Sequence, residues 1–164
     1  MRAISLLVTV LSVISCGAQT KDPSLKDTLE WMHSAFPDSQ SLTATMAGQT
    51  RELNSSDCTV TITDRWKDKE TKKMAKRDTV IDLSLIDPDS IKAYVDNVIP
   101  GDKDQGDVVL VTTDDKKNIV EKSTGKPYYT EREFISFIGI EYAERFAKAL
   151  KHAVALCGGK PSTF

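Results

Sequence analysis

The sequence predicts an α+β protein: about seven antiparallel strands in a strongly bent sheet or partly open barrel, with an N-terminal helix and a C-terminal amphipathic helix. Three observations carry this. Leu25, Leu29, Met32 and Phe36 recur at helical spacing, and so do the apolar residues between 140 and 157. From Ser41 to Ile138 the apolar period is two, which is the period of a strand. The strands are separated by turn residues and not by helices, which implies an antiparallel meander.

The chain begins with one basic residue, Arg2, followed by an apolar run from Ala3 to Ile14 and the small residues Ser15, Cys16, Gly17 and Ala18. That order is an export signal over residues 1–18, and the run is shorter than the roughly 20 apolar residues a membrane span needs. Two processing routes fit. Val13-Ile14-Ser15-Cys16 resembles the bacterial lipobox, which would make Cys16 a lipidated mature N-terminus, although Val13 departs from the usual leucine. Ordinary cleavage after Ala18 is the other. The expected location is the periplasm, the membrane surface as a lipoprotein, or the medium.

Residues 19–23 read as a linker, and residues 24–160 as one α+β domain with a tail at 161–164. Ser24 is placed as an N-cap with Asp27 three residues on, and Pro37 ends the first helix. Trp31 lies near the edge of its apolar stripe. Strands are expected at 41–47, 58–66, 79–85, 90–95, 107–113, 118–121 and 133–138. Turns are expected at 54–57, 87–89, 100–102, 114–115 and 124–125. In the last helix Ala143, Phe146, Ala147, Leu150, Val154 and Cys157 share one face. Glu141 with Arg145 and Glu144 with Lys148 are favourably spaced pairs, Gly158-Gly159 supplies the C-cap, and Pro161 prevents continuation.

Removing residues 1–18 leaves 146 of 164, enough for one core and not two. A composition that is 40% hydrophobic and 28% charged describes a folded protein and not a disordered tail. The formal charge of −2 becomes −3 when Arg2 is lost, so no global basic field attracts nucleic acid. With Cys16 processed, Cys58 and Cys157 remain as an even pair. Cys58 is in phase with Val60 and Ile62, and Cys157 with the helix stripe, so both sulfurs point to one interior and a disulfide is expected. Two separate buried thiols are the alternative. His33 and His152 lack ligand spacing, so no metal or cofactor is expected.

The order of elements resembles the pleckstrin-homology-like fold, in which a terminal helix plugs a bent sheet. The likeness runs through Asp82-Leu83-Ser84-Leu85-Ile86-Asp87, Ser90-Ile91-Lys92-Ala93, Val108-Val109-Leu110-Val111-Thr112-Thr113 and Phe134-Ile135-Ser136-Phe137 to Ala143-Glu144-Arg145-Phe146-Ala147-Lys148-Ala149-Leu150. Thr28-Leu29-Glu30-Trp31 and Leu156-Cys157-Gly158-Gly159-Lys160 are also similar to small uncharacterised exported bacterial proteins. The first resemblance implies a binding module. The loop expected at 48–57, which would contact a lipid headgroup in such domains, holds Arg51 against Glu52 and Asp57, so that specificity is not carried over.

Residues 65–77 gather Arg65, Lys67, Lys69, Lys72, Lys73, Lys76 and Arg77 against Asp68 and Glu70, with Trp66 and Met74 interleaved. An anionic partner or membrane surface could dock there, and a solvated hairpin that protects sheet edges accounts for the same residues. Asp102, Asp104 and Asp107 crowd one turn, but glycine is displaced from its EF-hand position and Thr113 stands where the last ligand belongs. No serine elbow, phosphate loop or zinc-protease motif is present. The expectation is a monomeric, non-catalytic module for an unidentified protein or peptide. The alternative is a small envelope hydrolase using carboxylates or a histidine.

Overall fold

The computed structural model describes residues 22–36, 49–95 and 105–163. The leader with Cys16, the strand expected at 41–47, the turn at 100–102 and most of the Asp102–Asp107 cluster lie outside them. Helix α1, Leu25–Ala35, opens with a capping box. The Asp27 N–H donates to Ser24 Oγ at 3.2 Å, and Ser24 N–H donates to Asp27 Oδ2 at 3.1 Å. Leu29, Met32 and Phe36 are buried, as their spacing predicts.

Eight strands follow among the described residues: β1 Thr50–Ser56, β2 Thr59–Lys67, β3 Met74–Asp82, β4 Lys92–Val95, β5 Gln105–Val111, β6 Ile119–Lys122, β7 Tyr128–Thr130 and β8 Arg132–Ile138. They form two antiparallel sheets, β1-β2-β3-β6-β7 and β4-β5-β8, and no closed barrel. The sheets approach at one corner, where Ile86 bridges Thr112 and the Thr112 N–H donates to Glu131 O at 2.9 Å. The expected single bent sheet of about seven strands is corrected to two sheets.

The individual strands also differ from the expectation in places. The described part of the expected loop, residues 49–57, is mostly strand, because β1 turns only Leu53 into the core and carries no apolar alternation to read. The turn falls at Asp57-Cys58, where Asp57 adopts a left-handed φ of 49°. β3 begins at Met74 and stops at Asp82, and residues 83–85 form a 3-10 turn capped by the Asp82 carboxylate. β7 has only three residues, with Tyr128 and Tyr129 exposed, which is too little apolar signal for a sequence pattern.

Helix α2, Ile140–Leu156, packs on the inner face of the three-stranded sheet, toward the Gly106 end of β5. A Cβ built on Gly106 would come within 2.8 Å of Ala143 Cβ and of Ile140 Cα, so the helix approaches β5 as closely as a bare backbone allows. Phe36, Phe137 and Phe146 join α1, β8 and α2, with ring centroids 4.8 to 6.0 Å apart. The helix ends in a Schellman motif: Gly158 N–H donates to Ala155 O and Gly159 N–H to Val154 O, with Gly158 at φ 81°. Cys157 is then bonded to Cys58, with Cα atoms 5.6 Å apart, so α2 is tied to the β1–β2 turn.

The helix's expected salt bridges are a correction. Glu141 does not pair with Arg145, nor Glu144 with Lys148; Arg145 instead lies over the Trp31 ring at 5.5 Å. Packing against an aromatic face competes well with an exposed i,i+4 pair, which contributes only a few tenths of a kcal/mol.

Candidate functional site

The predicted basic segment is a hairpin made by β2, β3 and the turn between them. Asp68 builds that turn: its Oδ1 accepts from the N–H groups of Glu70 and Thr71 at 3.1 and 2.6 Å and from Thr71 Oγ1 at 2.7 Å. Those bonds, the Thr71 backbone bond foremost, hold its carboxyl below the usual range. Lys72 occupies the left-handed region at φ 59°.

The structure divides the seven cations into two groups. Arg65 pairs with Glu52 at 2.7 Å, Lys76 with Asp78 at 2.8 Å, and Arg77 turns inward. Lys67, Lys69, Lys72 and Lys73 are exposed and form no ion pair among the described residues. Met74 sits across from Lys67 and is 68% exposed, whereas Trp66 is half-buried on the opposite face. The tip is therefore a cationic surface with one apolar side chain and no tryptophan platform.

Below the tip lies a cluster that was not anticipated from the sequence. Arg51, Asp64 and Arg77 stand directly opposite one another on β1, β2 and β3. Asp64 is fully buried. Its Oδ1 accepts from Arg51 Nε at 2.6 Å and Gln49 Nε2 at 3.3 Å, and its Oδ2 from Arg77 Nη2 at 2.8 Å. Burial opposes its charge, but the hydrogen bonds and charges of Arg51 and Arg77 outweigh that and keep its carboxyl low.

Arg77 Nη1 also reaches Glu121 Oε2 on β6 at 3.6 Å. Glu133 on β8 completes the group from the other sheet. Burial, then repulsion from Glu121, push its carboxyl up to about 7 against the pull of Arg77 and Arg51. Two guanidiniums and the fixed Asp64 carboxylate thus lie side by side across β1, β2 and β3, with Glu121 on Arg77 and with Glu133, raised to about 7, within electrostatic reach. The readable signal was Asp64 itself, an acid in phase with Val60 and Ile62 on the apolar side of its strand.

The histidines do not join this cluster. His33 lies in a groove between α1 and the end of β1, whereas His152 Nε2 is 2.9 Å from Pro23 O on the α2 side of α1. Among the described residues no group of three or more metal-ligating side chains converges, and no helix is long and apolar enough to cross a membrane. Cys16 lies outside the described residues, so the lipidation site has no geometry here. No protein-family model, curated protein or solved structure matches the chain.

Proposed function

We propose that the chain is an exported envelope protein, retained by lipid on Cys16 or released by cleavage after Ala18, that works as a non-catalytic binding module for a protein or peptide. The observation that carries the reading is the Cys58–Cys157 bond, which fits the oxidising compartment to which the leader directs the chain. A pleckstrin-homology-like architecture is supported by the terminal helix on the inner face of a sheet, while the division into five and three strands and helix α1 depart from that pattern.

The four lysines of the hairpin tip supply the binding surface, and an anionic protein surface is the partner they fit. Mass spectrometry of the mature N-terminus, with fractionation of cells, tests the export reading. An acylated Cys16 in the membrane fraction or a start at Gln19 outside the cytosol is expected. Intact precursor in the cytosol overturns it. Cross-linking in the envelope, with and without Lys67, Lys69, Lys72 and Lys73 replaced by Gln, tests the surface: a cross-linked partner that the variant retains overturns it.

A second reading, a small envelope hydrolase, is favoured by Glu133, whose carboxyl is pushed up to about 7 by burial and by the charge of Glu121, in the range where a carboxyl can exchange a proton at neutral pH. Turnover of a panel of nitrophenyl esters and glycosides that is abolished in Glu133→Gln would establish it. Turnover unchanged in that variant, or none, removes it.

A further inference from the structure

The groove between α1 and α2, about 670 Å³ in volume, is distinct from the hairpin and from the ionic cluster. Its apolar lining is Pro23, Trp31 and Ala149, and Arg145 and Lys148 stand on the α2 rim, three residues apart. Asp22 and Asp27 stand on the other rim, but Asp27 Oδ2 accepts from the Ser24 N–H and hydroxyl, at 3.1 and 2.7 Å. No described carboxylate pairs with Arg145 or Lys148, although Glu141 and Glu144 lie at the spacing that would allow it.

Arg145 is held by the Trp31 ring, which positions its guanidinium without neutralising it. At the far end His152 already engages Pro23 O. Between these ends the α2 rim runs seven residues, about 10 Å, which is the span of about three residues of extended chain.

We propose that this groove binds a short acidic peptide segment, with one carboxylate on the Arg145 fork, the charge of Lys148 beside it, and an adjoining apolar side chain on Pro23 and Ala149. An arginine already drawn over an aromatic face can meet a carboxylate with both arms of its fork at less ordering cost than a free one, and lysine adds a point charge. The site needs neither the hairpin lysines nor export, so it stands or falls separately from the function proposed above.

The test is calorimetry and tryptophan emission of the full chain titrated with the blocked peptide acetyl-Leu-Glu-Glu-Phe-amide, and with a counterpart carrying lysine in place of glutamate. The acidic peptide should bind and perturb Trp31 emission, with affinity falling as salt rises. Arg145→Ala with Lys148→Ala should weaken binding at least about tenfold, the loss of one charge-assisted contact. Both side chains are exposed, so circular dichroism should report an unchanged fold. Replacing Lys67, Lys69, Lys72 and Lys73 by Gln should leave this titration unchanged. The proposal is overturned by equal binding of the lysine peptide, by full binding in the double variant, or by no binding at millimolar peptide. A concentration-dependent dimer that the double variant loses would give the groove to a second copy and overturn it as well.

Discussion

Breaking the link between Cys58 and Cys157 tests how α2 is held to the β1–β2 turn. The two cysteines are 99 residues apart, and in the chain-entropy treatment a loop of that size restricts the unfolded chain by about 4.7 kcal/mol. A domain of this length gains about 0.3 kcal/mol per kelvin of entropy at its melting point, so the lost constraint corresponds to a fall of roughly 15 °C. The double variant Cys58→Ser with Cys157→Ser is the clean perturbation, because it leaves neither partner of the bond as a free thiol.

The fold itself should survive. The turn is still held by the Leu83 N–H donating to Cys58 O at 2.8 Å, and the chain after α2 by Thr113 Oγ1 donating to Lys160 O at 3.0 Å and Asp114 N–H to Ser162 Oγ at 3.1 Å. Scanning calorimetry of wild type, wild type in reductant and the double variant measures the effect. Far-ultraviolet dichroism should coincide for all three at low temperature, and the last two should melt together well below the first. A wild type that melts at one temperature with and without reductant would refute the reasoning.

Three further perturbations follow from the packing and the charges. Glu133 has its folded-state carboxyl raised to about 7, so the stability tied to its proton is complete at mildly acid pH and is lost as pH rises from the ordinary glutamate value through 7. Glu133→Gln should remove that loss, worth up to about 3 kcal/mol, so its denaturation midpoint should exceed wild type at pH 8 and match it near pH 4.5; parallel pH profiles would defeat this. Gly106→Ala drives a methyl into Ala143 and Ile140 and should cost about 1–3 kcal/mol in urea unfolding, and a variant as stable as wild type would show that α2 can move away freely. Replacing Lys67, Lys69, Lys72 and Lys73 together by Gln should change stability by no more than about 1 kcal/mol, since exposed lysines without partners hold nothing in place, and a large loss would place them in the fold and not on a binding surface.

Both helices were legible because their signals are local. A capping box, a 3.6-residue apolar period and a glycine pair past the last turn lie within a few residues of the element they define. The disulfide was legible from phase: Cys58 precedes Val60 and Ile62 by even steps, and Cys157 continues the stripe of Leu150 and Val154. β1 was not, because the neighbours of Leu53 on its inner face are the polar Arg51 and the exposed Ser55, and the inward place of Arg51 depends on Asp64 of the next strand. The same holds for the partition of the basic hairpin. Seven cations read as one patch until cross-strand register assigns Arg65 to Glu52 and Arg77 to Asp64. Gly106 likewise read as part of a polar turn, and only the seat of α2 on β5 explains it.

The Arg51–Asp64–Arg77 group bears on why that register holds. Shifting β1 or β3 by one residue against β2 would send its arginine to the other face and leave the buried Asp64 carboxylate with one of its two guanidinium partners, and shifting both would leave it with neither. An uncompensated buried charge costs several kcal/mol, whereas a buried ionic group as a whole adds little over apolar residues of similar size. We infer that the cluster selects the pairing more than it stabilises the sheet. Arg51→Ala alone should then cost about 3 kcal/mol or more, and Asp64→Leu combined with Arg51→Leu and Arg77→Leu should recover much of it. Hydrogen exchange across β1 and β3 supplies the other half of the test: the triple variant should approach wild-type stability yet protect those amides less evenly, as strands that sample neighbouring registers would. Uniform wild-type protection in the triple variant would assign register to the apolar residues alone.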